Sequence, residues 1–123
     1  MKPIILAQTE DTPNVVFDTE KEQFIISGRS MPEDTSKFYL PLIEWILEYN
    51  KAPKAISNFV FQFEFISTST SKQLMKVFYA IEQLSKTHKV NVSWNYEKGD
   101  LNMRRSGELL QKLVTFKLGY QEV

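Results

Sequence analysis

Between Phe59 and Tyr96 the hydrophobic period of the chain changes twice, and that change constrains the fold more than any other feature. Phe59, Phe61, Phe63 and Phe65 alternate with Val60, Gln62, Glu64 and Ile66. Successive side chains of a strand point to opposite faces, so this alternation predicts a central strand with four phenyl rings on one face. From Ser71 the spacing becomes helical, with Leu74, Val77, Phe78, Ile81 and Leu84 on one side and Lys72, Lys76, Glu82 and Lys86 mostly on the other. Val90, Val92, Trp94 and Tyr96 then alternate with Asn91, Ser93, Asn95 and Glu97, a second strand with one polar face. The unit is β-α-β, which calls for parallel strands and a right-handed crossover. The polar faces of Gln62/Glu64 and Asn91/Ser93/Asn95 leave only the other face for helices to cover.

The flanking segments extend this pattern. Ile4–Ala7, Val15–Asp18 and Gln23–Ser27 are short apolar runs separated by Thr12-Pro13-Asn14 and Thr19-Glu20-Lys21-Glu22, as strands joined by tight turns would be. After Gly28 and Arg29, Met31–Ser36 carries helix-capping residue types. Phe38, Leu42, Trp45, Ile46 and Tyr49 then recur at helical spacing, predicting a helix of about 15 residues. Pro41 inside it removes one backbone bond and is expected to kink or tighten the early turns, and Pro53 marks the exit. Lys98-Gly99-Asp100 reads as a turn, Leu101–Val114 as a third helix through Met103, Leu110 and Leu113, and Phe116–Tyr120 as a short last strand. The expected fold class is α/β. Residues 1–123 would form a single two-layer domain, a mixed β-sheet with about three helices mainly on one face, and nine Phe, five Tyr and two Trp are enough to fill its core.

Composition narrows the function. With 15 Lys+Arg against 15 Asp+Glu and no net charge, the chain lacks the cationic excess that nucleic acid or an anionic membrane selects, so neither is expected as a partner. It has no cysteine, which removes disulfides, thiolate chemistry and Cys-based metal sites and suits a reducing cytoplasm. Met1-Lys2-Pro3 is followed by too few apolar residues for a signal-peptide core, and no run approaches a membrane span. No cofactor motif is present. His88 is the only histidine and forms no triad, and adjacent Ser71 and Lys72 diverge on a helix rather than pairing as nucleophile and base. Glu33 and Asp34 beside Pro32 read as first-turn or capping acids rather than paired carboxylates for a metal or acid–base role, Trp45 and Trp94 as core, and Arg104-Arg105 as a solvated helical face.

The most unusual stretch is Ser67-Thr68-Ser69-Thr70-Ser71-Lys72, five consecutive hydroxyl residues where the aromatic strand gives way to the helix. Two readings stand. Thr70-Ser71-Lys72-Gln73 fits a capping box, in which Thr70 accepts from the first turn and Gln73 reaches back. Five hydroxyls exceed what a cap needs, and the excess reads as a phospho-acceptor loop where phosphate would add about −1.5 to −2 charges beside a helix N-terminus. Residue chemistry alone does not choose among Thr68, Ser69, Thr70 and Ser71. A small anion- or ligand-binding domain, or a structural protein whose loop only caps the helix, are the rival readings; the first requires a deep pocket at Thr68.

Phe65-Ile66-Ser67-Thr68-Ser69-Thr70-Ser71-Lys72 resembles the Tyr-Phe-Asn-Thr-Ser-Ser-Ser-Lys loop of the SiaC-family regulatory phosphoproteins. Met31-Pro32-Glu33-Asp34 resembles the family's Pro-Glu-Asn segment, and Phe38-Tyr39 through Pro41 and Trp45 to Tyr49 its first helix. Val92-Ser93-Trp94-Asn95-Tyr96 resembles its Val-x-Trp-x-Tyr strand, and Asp100, Met103 and Gly107-Glu108 its last helix. The resemblance covers roughly residues 10–120. It implies a non-enzymatic, cytoplasmic bacterial switch, similar in logic and fold to STAS-domain anti-sigma-factor antagonists of the SpoIIAA type. In such a switch a partner kinase phosphorylates the loop threonine, a PP2C-type phosphatase reverses it, and the unmodified form activates a target, in some members a diguanylate cyclase of cyclic di-GMP signalling. By motif position the acceptor is Thr68, within the loop of Ser67, Ser69, Thr70, Ser71 and Lys72 and just ahead of the cap. Pro32, Glu33 and Asp34 become candidate partner-binding residues. Ser67 and Asp34 stand where the family has Asn, so local bonding is expected to differ there.

Overall fold

The computed structural model describes residues 1–123. Along the chain run β1 (Ile4–Leu6), β2 (Asn14–Asp18), β3 (Gln23–Ser30), α1 (Thr35–Tyr49), β4 (Ile56–Ile66), α2 (Thr68–Ser85), β5 (Lys89–Tyr96), α3 (Leu101–Gln111) and β6 (Leu118–Glu122). The six strands form one sheet in sequence order. β1, β2 and β3 are an antiparallel meander, and β3 through β6 are parallel, each joined to the next by one helix. All three crossovers step one strand in the same direction. Crossovers of one hand therefore bring α1, α2 and α3 to one face, where α1 packs on α2 and α2 on α3.

That face holds the core. Phe59, Phe61 and Phe63 of β4 lie buried beside Phe17 and Phe24 on one flank and Trp94 on the other. They meet Tyr39, Leu42, Ile46 and Tyr49 of α1 and Leu74, Val77, Phe78 and Ile81 of α2. Phe61 contacts Phe78 at 5.1 Å between ring centroids and Trp94 at 6.0 Å, while Phe24 stacks on Phe59 at 5.0 Å. Each such ring removed from water contributes about 1.5–3 kcal/mol, which makes this face the main source of stability. The opposite face is open and carries an amide ladder, with Asn91 donating to Asn58 at 2.9 Å and Asn95 to Gln62 at 3.1 Å.

The fourth phenyl ring departs from expectation. Between β3 and β4 the register passes from Gly28 opposite Phe63 to Arg29 opposite Phe65, so Glu64 is an extra residue on β4. A bulge of this kind reverses the side-chain alternation beyond it. Phe65 is consequently turned to the open face under the guanidinium of Arg29, 5.5 Å from the ring centre, and Ile66 turns inward against the core instead. β3 also runs on past Ser27 to Ser30, because Gly28 takes a φ of +104° at the irregularity and lets the strand continue.

Three further expectations shift. α1 is continuous through Pro41, whose ring lies on the exposed side, where the carbonyl of Lys37 that loses its helical donor can face water. α3 ends at Gln111 rather than Val114. The Gln111 side chain takes over from the helix, donating to the Phe116 carbonyl and accepting from the Leu118 N–H, both at 2.7 Å. β6 accordingly begins at Leu118, and Phe116 packs beneath the helices on Phe78. Arg104 is not a freely solvated cation: it lies across Tyr120 at 4.8 Å and donates to the Tyr96 hydroxyl at 2.9 Å.

Gly107 lets α3 approach the sheet closely. Trp94 is fully buried and donates its indole N–H to the Met103 carbonyl at 2.9 Å, and a Cβ at Gly107 would lie 2.5 Å from the indole Cδ1. In an exposed helix, replacing Gly by Ala stabilises by about 1 kcal/mol. Here the rigid ring reverses the sign: Gly107→Ala is expected to destabilise by about 1–3 kcal/mol through overpacking. Urea denaturation followed by tryptophan fluorescence measures this, and a raised midpoint would contradict it.

Candidate functional site

β3 and β4 end side by side at Ser30 and Ile66, so the chain leaves both parallel strands at the same edge of the sheet. One exit is the Met31-Pro32-Glu33-Asp34 segment leading to α1, and the other is Ser67 leading to α2. The parallel pairing thus brings two segments that are far apart in sequence to one end of the fold, where helix N-termini also converge.

The hydroxyl run is arranged differently from the capping box expected at Thr70. Ser67 is the N-cap of α2: its backbone is extended and its Oγ accepts the Thr70 N–H at 3.1 Å. Thr68, Ser69 and Thr70 are already helical, so Thr68 is the first residue after the cap rather than ahead of it. Gln73 does not reach back to the cap and is buried toward α1. Ser is as good an N-cap as Asn, and at Ser67 the position uses the acceptor that both side chains share. Asp34 plays the same part at α1. It accepts the Lys37 N–H at 3.0 Å and the Ser36 hydroxyl at 3.0 Å, and the backbone bond foremost, then Ser36, holds its carboxyl below the usual range. An acceptor suffices there too.

Beneath the cap lies a closed set of buried hydroxyls. Thr70 is fully buried and donates to the Ser30 carbonyl at 2.9 Å, which also receives the Ser67 N–H at 2.9 Å. Thr70 Oγ1 accepts the Ser67 hydroxyl at 3.0 Å and lies 3.0 Å from Ser30 Oγ, which is in turn 2.7 Å from the Tyr39 hydroxyl. Each hydroxyl has one proton, which sets the direction of every bond. Thr70 spends its proton on the carbonyl, so Ser30 donates to Thr70 and Tyr39 donates to Ser30. Burial pushes the Tyr39 phenol well above its usual range. The first turn of α2 is thereby tied to β3 and α1.

The five hydroxyls now separate by environment. Ser67 is a cap, Thr70 is a buried anchor, and Ser71 is half-buried, donating to the Ser67 carbonyl at 3.3 Å. Thr68 and Ser69 are exposed. Ser69 lies 3.3 Å from Ser67 Oγ, whereas the Thr68 hydroxyl makes no bond within the chain. Lys72 is exposed one turn along from Thr68, on the same side of α2. Of the second segment, Pro32 is half-buried, Glu33 is exposed, and Asp34 lines a cleft between α1 and α2 with Lys37, Gln73 and Lys76.

No deep pocket opens at Thr68. The adjoining concavity is a shallow apolar groove of about 190 Å³ between α2 and α3, lined by Ile66, Ser71, Met75, Leu109, Leu110 and Leu113. Nowhere do three His, Asp or Glu side chains converge as metal donors, and no helix is long and apolar enough to cross a membrane. Sequence reasoning missed Ser30 and Tyr39, which join the loop from other strands and helices and carry no local signal. It also counted Leu113 in the third helix, whereas Leu113 lies beyond the helix end, exposed at the groove.

A model of the SiaC family of regulatory phosphoproteins matches residues 6–123. Among curated proteins, none matches the chain by sequence. Three solved structures share its fold: SiaC of Pseudomonas aeruginosa (TM-score 0.89, 18% identity, covering 100% of both chains), apo-SiaC from the same organism (0.86, 17%, 98% and 99%), and the diguanylate cyclase SiaD in complex with its activator SiaC, also from Pseudomonas aeruginosa (0.90, 17%, 98% and 99%).

The buried hydroxyls and the exposed ones should respond oppositely to mutation. Thr70→Val strips the acceptor from Ser67 and Ser30 and is expected to cost about 1–3 kcal/mol, whereas Thr68→Val should stay within about 0.5 kcal/mol of the parent in urea denaturation. Tyr39 adds a pH signature. Its folded-state pKa lies above the unfolded value near 10, so the stability it contributes is complete below about pH 10 and is lost as pH rises beyond it. Tyr39→Phe should therefore lose less stability than the parent between neutral and strongly alkaline pH. Parallel profiles would exclude this assignment.

Proposed function

The chain belongs to the SiaC family of regulatory phosphoproteins, and from that premise we propose that it is a non-enzymatic, cytoplasmic bacterial switch whose acceptor is Thr68. A partner kinase adds the phosphate, a PP2C-type phosphatase removes it, and the unmodified form binds and activates a target protein. The target class is a diguanylate cyclase, by extension from the complex of SiaD with its activator SiaC. Residues 1–123 act as one binding module. The observation that carries this reading is the sorting of the hydroxyl run: Thr68 is exposed, unbonded and beside an apolar groove, while Ser67 and Thr70 are committed to holding the turn. A shallow surface of this kind suits a protein partner better than a small ligand, which would need a deeper site of about 300–1,000 Å³.

The mechanism is electrostatic and steric. A phosphate at Thr68 would bring about −1.5 to −2 charges to the first turn of α2. The free N–H of Ser69 and the positive end of the helix stabilise it by about 0.3–1 kcal/mol while it is exposed, and Lys72 one turn on can pair with it. A partner closing over the same turn would strip water from that dianion, which is costly unless a cation of its own meets it. Phosphorylation therefore releases the target. Pro32 and Glu33, at the neighbouring strand exit, fall within the area a partner covering Thr68 would reach.

The expected outcome is phosphate on Thr68, removable by a PP2C-type phosphatase, in phosphosite-resolved mass spectrometry of the protein from its native cells. Thr68→Ala should retain binding to the diguanylate cyclase of the same organism by calorimetry, and Thr68→Asp should weaken it about tenfold or more. Equal affinities for the two variants, or unmodified protein under all growth conditions, would overturn the switch.

A further inference from the structure

We propose that the open face of the sheet is a self-association surface, on which two copies of the chain pack sheet to sheet about a two-fold axis parallel to the strands. The inference is independent of the reading of Thr68 and concerns the face opposite the helices.

The strand registers set the open-face residues in rows that cross the sheet. The central row runs Ile5, Val16, Ile25, Val60, Ser93 and Gly119, each paired with the next. On one side of it lie Asn14, Ser27, Gln62, Asn95 and Gln121, and on the other Asp18 with Gln23 and Asn58 with Asn91. Ile5 is 60% exposed and Val16, Ile25 and Val60 are half-buried, so an aliphatic stripe runs between two rows of amides and hydroxyls. Asp18 is the one charged residue in these rows. It is buried, and its Oδ1 accepts the N–H groups of Glu20 and Lys21 in the turn after β2. The exposed charges stand at the margins, Arg29, Glu64 and Glu97 toward one end of the strands and Lys89 and Lys117 toward the other. Charged side chains make up 24% of the chain and ordinarily populate a face kept for water. A charge-free centre inside a charged margin is instead the anatomy of a protein interface.

Shape identifies the occupant as a second copy. Bulk falls along the central row from Ile5 to Gly119, and at the β6 end a shallow hollow of about 440 Å³ opens over Asn58, Asn91, Ser93 and Gly119. The fold does not require glycine at 119: its backbone is outside the left-handed region, and a Cβ there would meet no atom closer than 3.8 Å. Its effect is to keep the hollow open. An axis parallel to the strands, between β3 and β4, reverses the row in the second copy. Ile5 of each copy then stands over Gly119 of the other, Val16 over Ser93, and Ile25 over Val60, so that bulk meets gap on both sides of the axis. Amide rows face amide rows, and an amide carries both donors and an acceptor, so it can pair with its own kind where like charges would repel. At the margin Arg29 of one copy comes opposite Glu64 of the other.

The extent of the face is adequate. Six strands span about 24 Å across the sheet and the rows about 27 Å along it, on the order of 650 Å², against the ~800 Å² that each partner gives to a standard interface. Sheets stacked in this aligned manner lie about 10 Å apart. Both helical layers are then on the outside, and the pair presents two Thr68 turns to solvent.

The test is sedimentation equilibrium of the whole chain, which should show a concentration-dependent rise from 14.4 kDa to twice that mass. Val60→Lys, which sets ammonium groups near the axis, and Gly119→Trp, which fills the hollow, should each weaken the dimer about tenfold or more. Ile5→Lys, at an exposed edge position that bears little on folding, carries the same expectation. Because the chain has no cysteine, Ile5→Cys protein mixed with Gly119→Cys protein under mild oxidation reads the geometry: the mixed disulfide should form about tenfold faster than either self-linked dimer. Thr68→Glu should leave the association unchanged. A mass of 14.4 kDa at every concentration up to about 1 mM, a dimer that Ile5→Lys and Val60→Lys do not weaken, or self-linked dimers in place of the mixed one would overturn the proposal. Dissociation by Thr68→Glu would also overturn it, by placing the contact at the helices.

Discussion

Burial of one side of β4 is the constraint from which the other features follow. Phe59, Phe61 and Phe63 need cover, and a strand flanked by parallel neighbours can obtain it only from the crossover helices. Because the crossovers advance across the sheet in one direction, the cover is one-sided, and the uncovered face is left to an amide ladder and the Arg29–Phe65 pair. One-sided cover also places the N-termini of α1 and α2 at one edge, next to each other. The position of the candidate site is thus a consequence of how the core is closed.

The first turn of α2 divides its work between neighbouring hydroxyls. Ser67 satisfies an N–H that would otherwise lack a partner, and Thr70 anchors the turn to β3 through the Ser30 carbonyl. Tyr39 extends the anchor into α1, with every proton in the set assigned to an acceptor. No buried side-chain nitrogen or oxygen in the protein lacks a hydrogen-bond partner. A fully satisfied polar cluster in a dry setting is rigid, because moving any member leaves another unpaired. Thr68 therefore stands on a fixed platform while taking no part in it, so the proposed phosphorylation would leave these contacts in place.

Much of this was legible in the residues. The two alternating strands and the helix between them follow from periodicity, and so does the bare polar face of β5, because these patterns are local and repeat over several turns or pairs. The hydroxyl run announced itself by composition, and the family motifs singled out Thr68. The errors share one cause. Phe65 was expected beside the other three rings since a period-two pattern carries no mark of a bulge, which arises from how β4 pairs with β3 at Gly28 and Arg29. The cap was expected at Thr70 because its capping-box pattern is local, whereas Thr70 is drawn inward by Ser30, 40 residues earlier. Arg104 looked solvated until β5 and β6 brought two tyrosine rings beneath it.

By itself, the amino-acid sequence determined the order and type of the elements, the absence of cysteine and of net charge, and the place of the run of five hydroxyls. These depend on backbone propensity, periodicity and composition, which act over neighbouring residues. Only the tertiary structure decided which hydroxyl is a cap, which is an anchor and which are exposed, and which leucines remain open beside them. Those roles depend on contacts between segments far apart in the chain, and such contacts exist only once parallel pairing has set β3 beside β4 and the helices have closed over their common face.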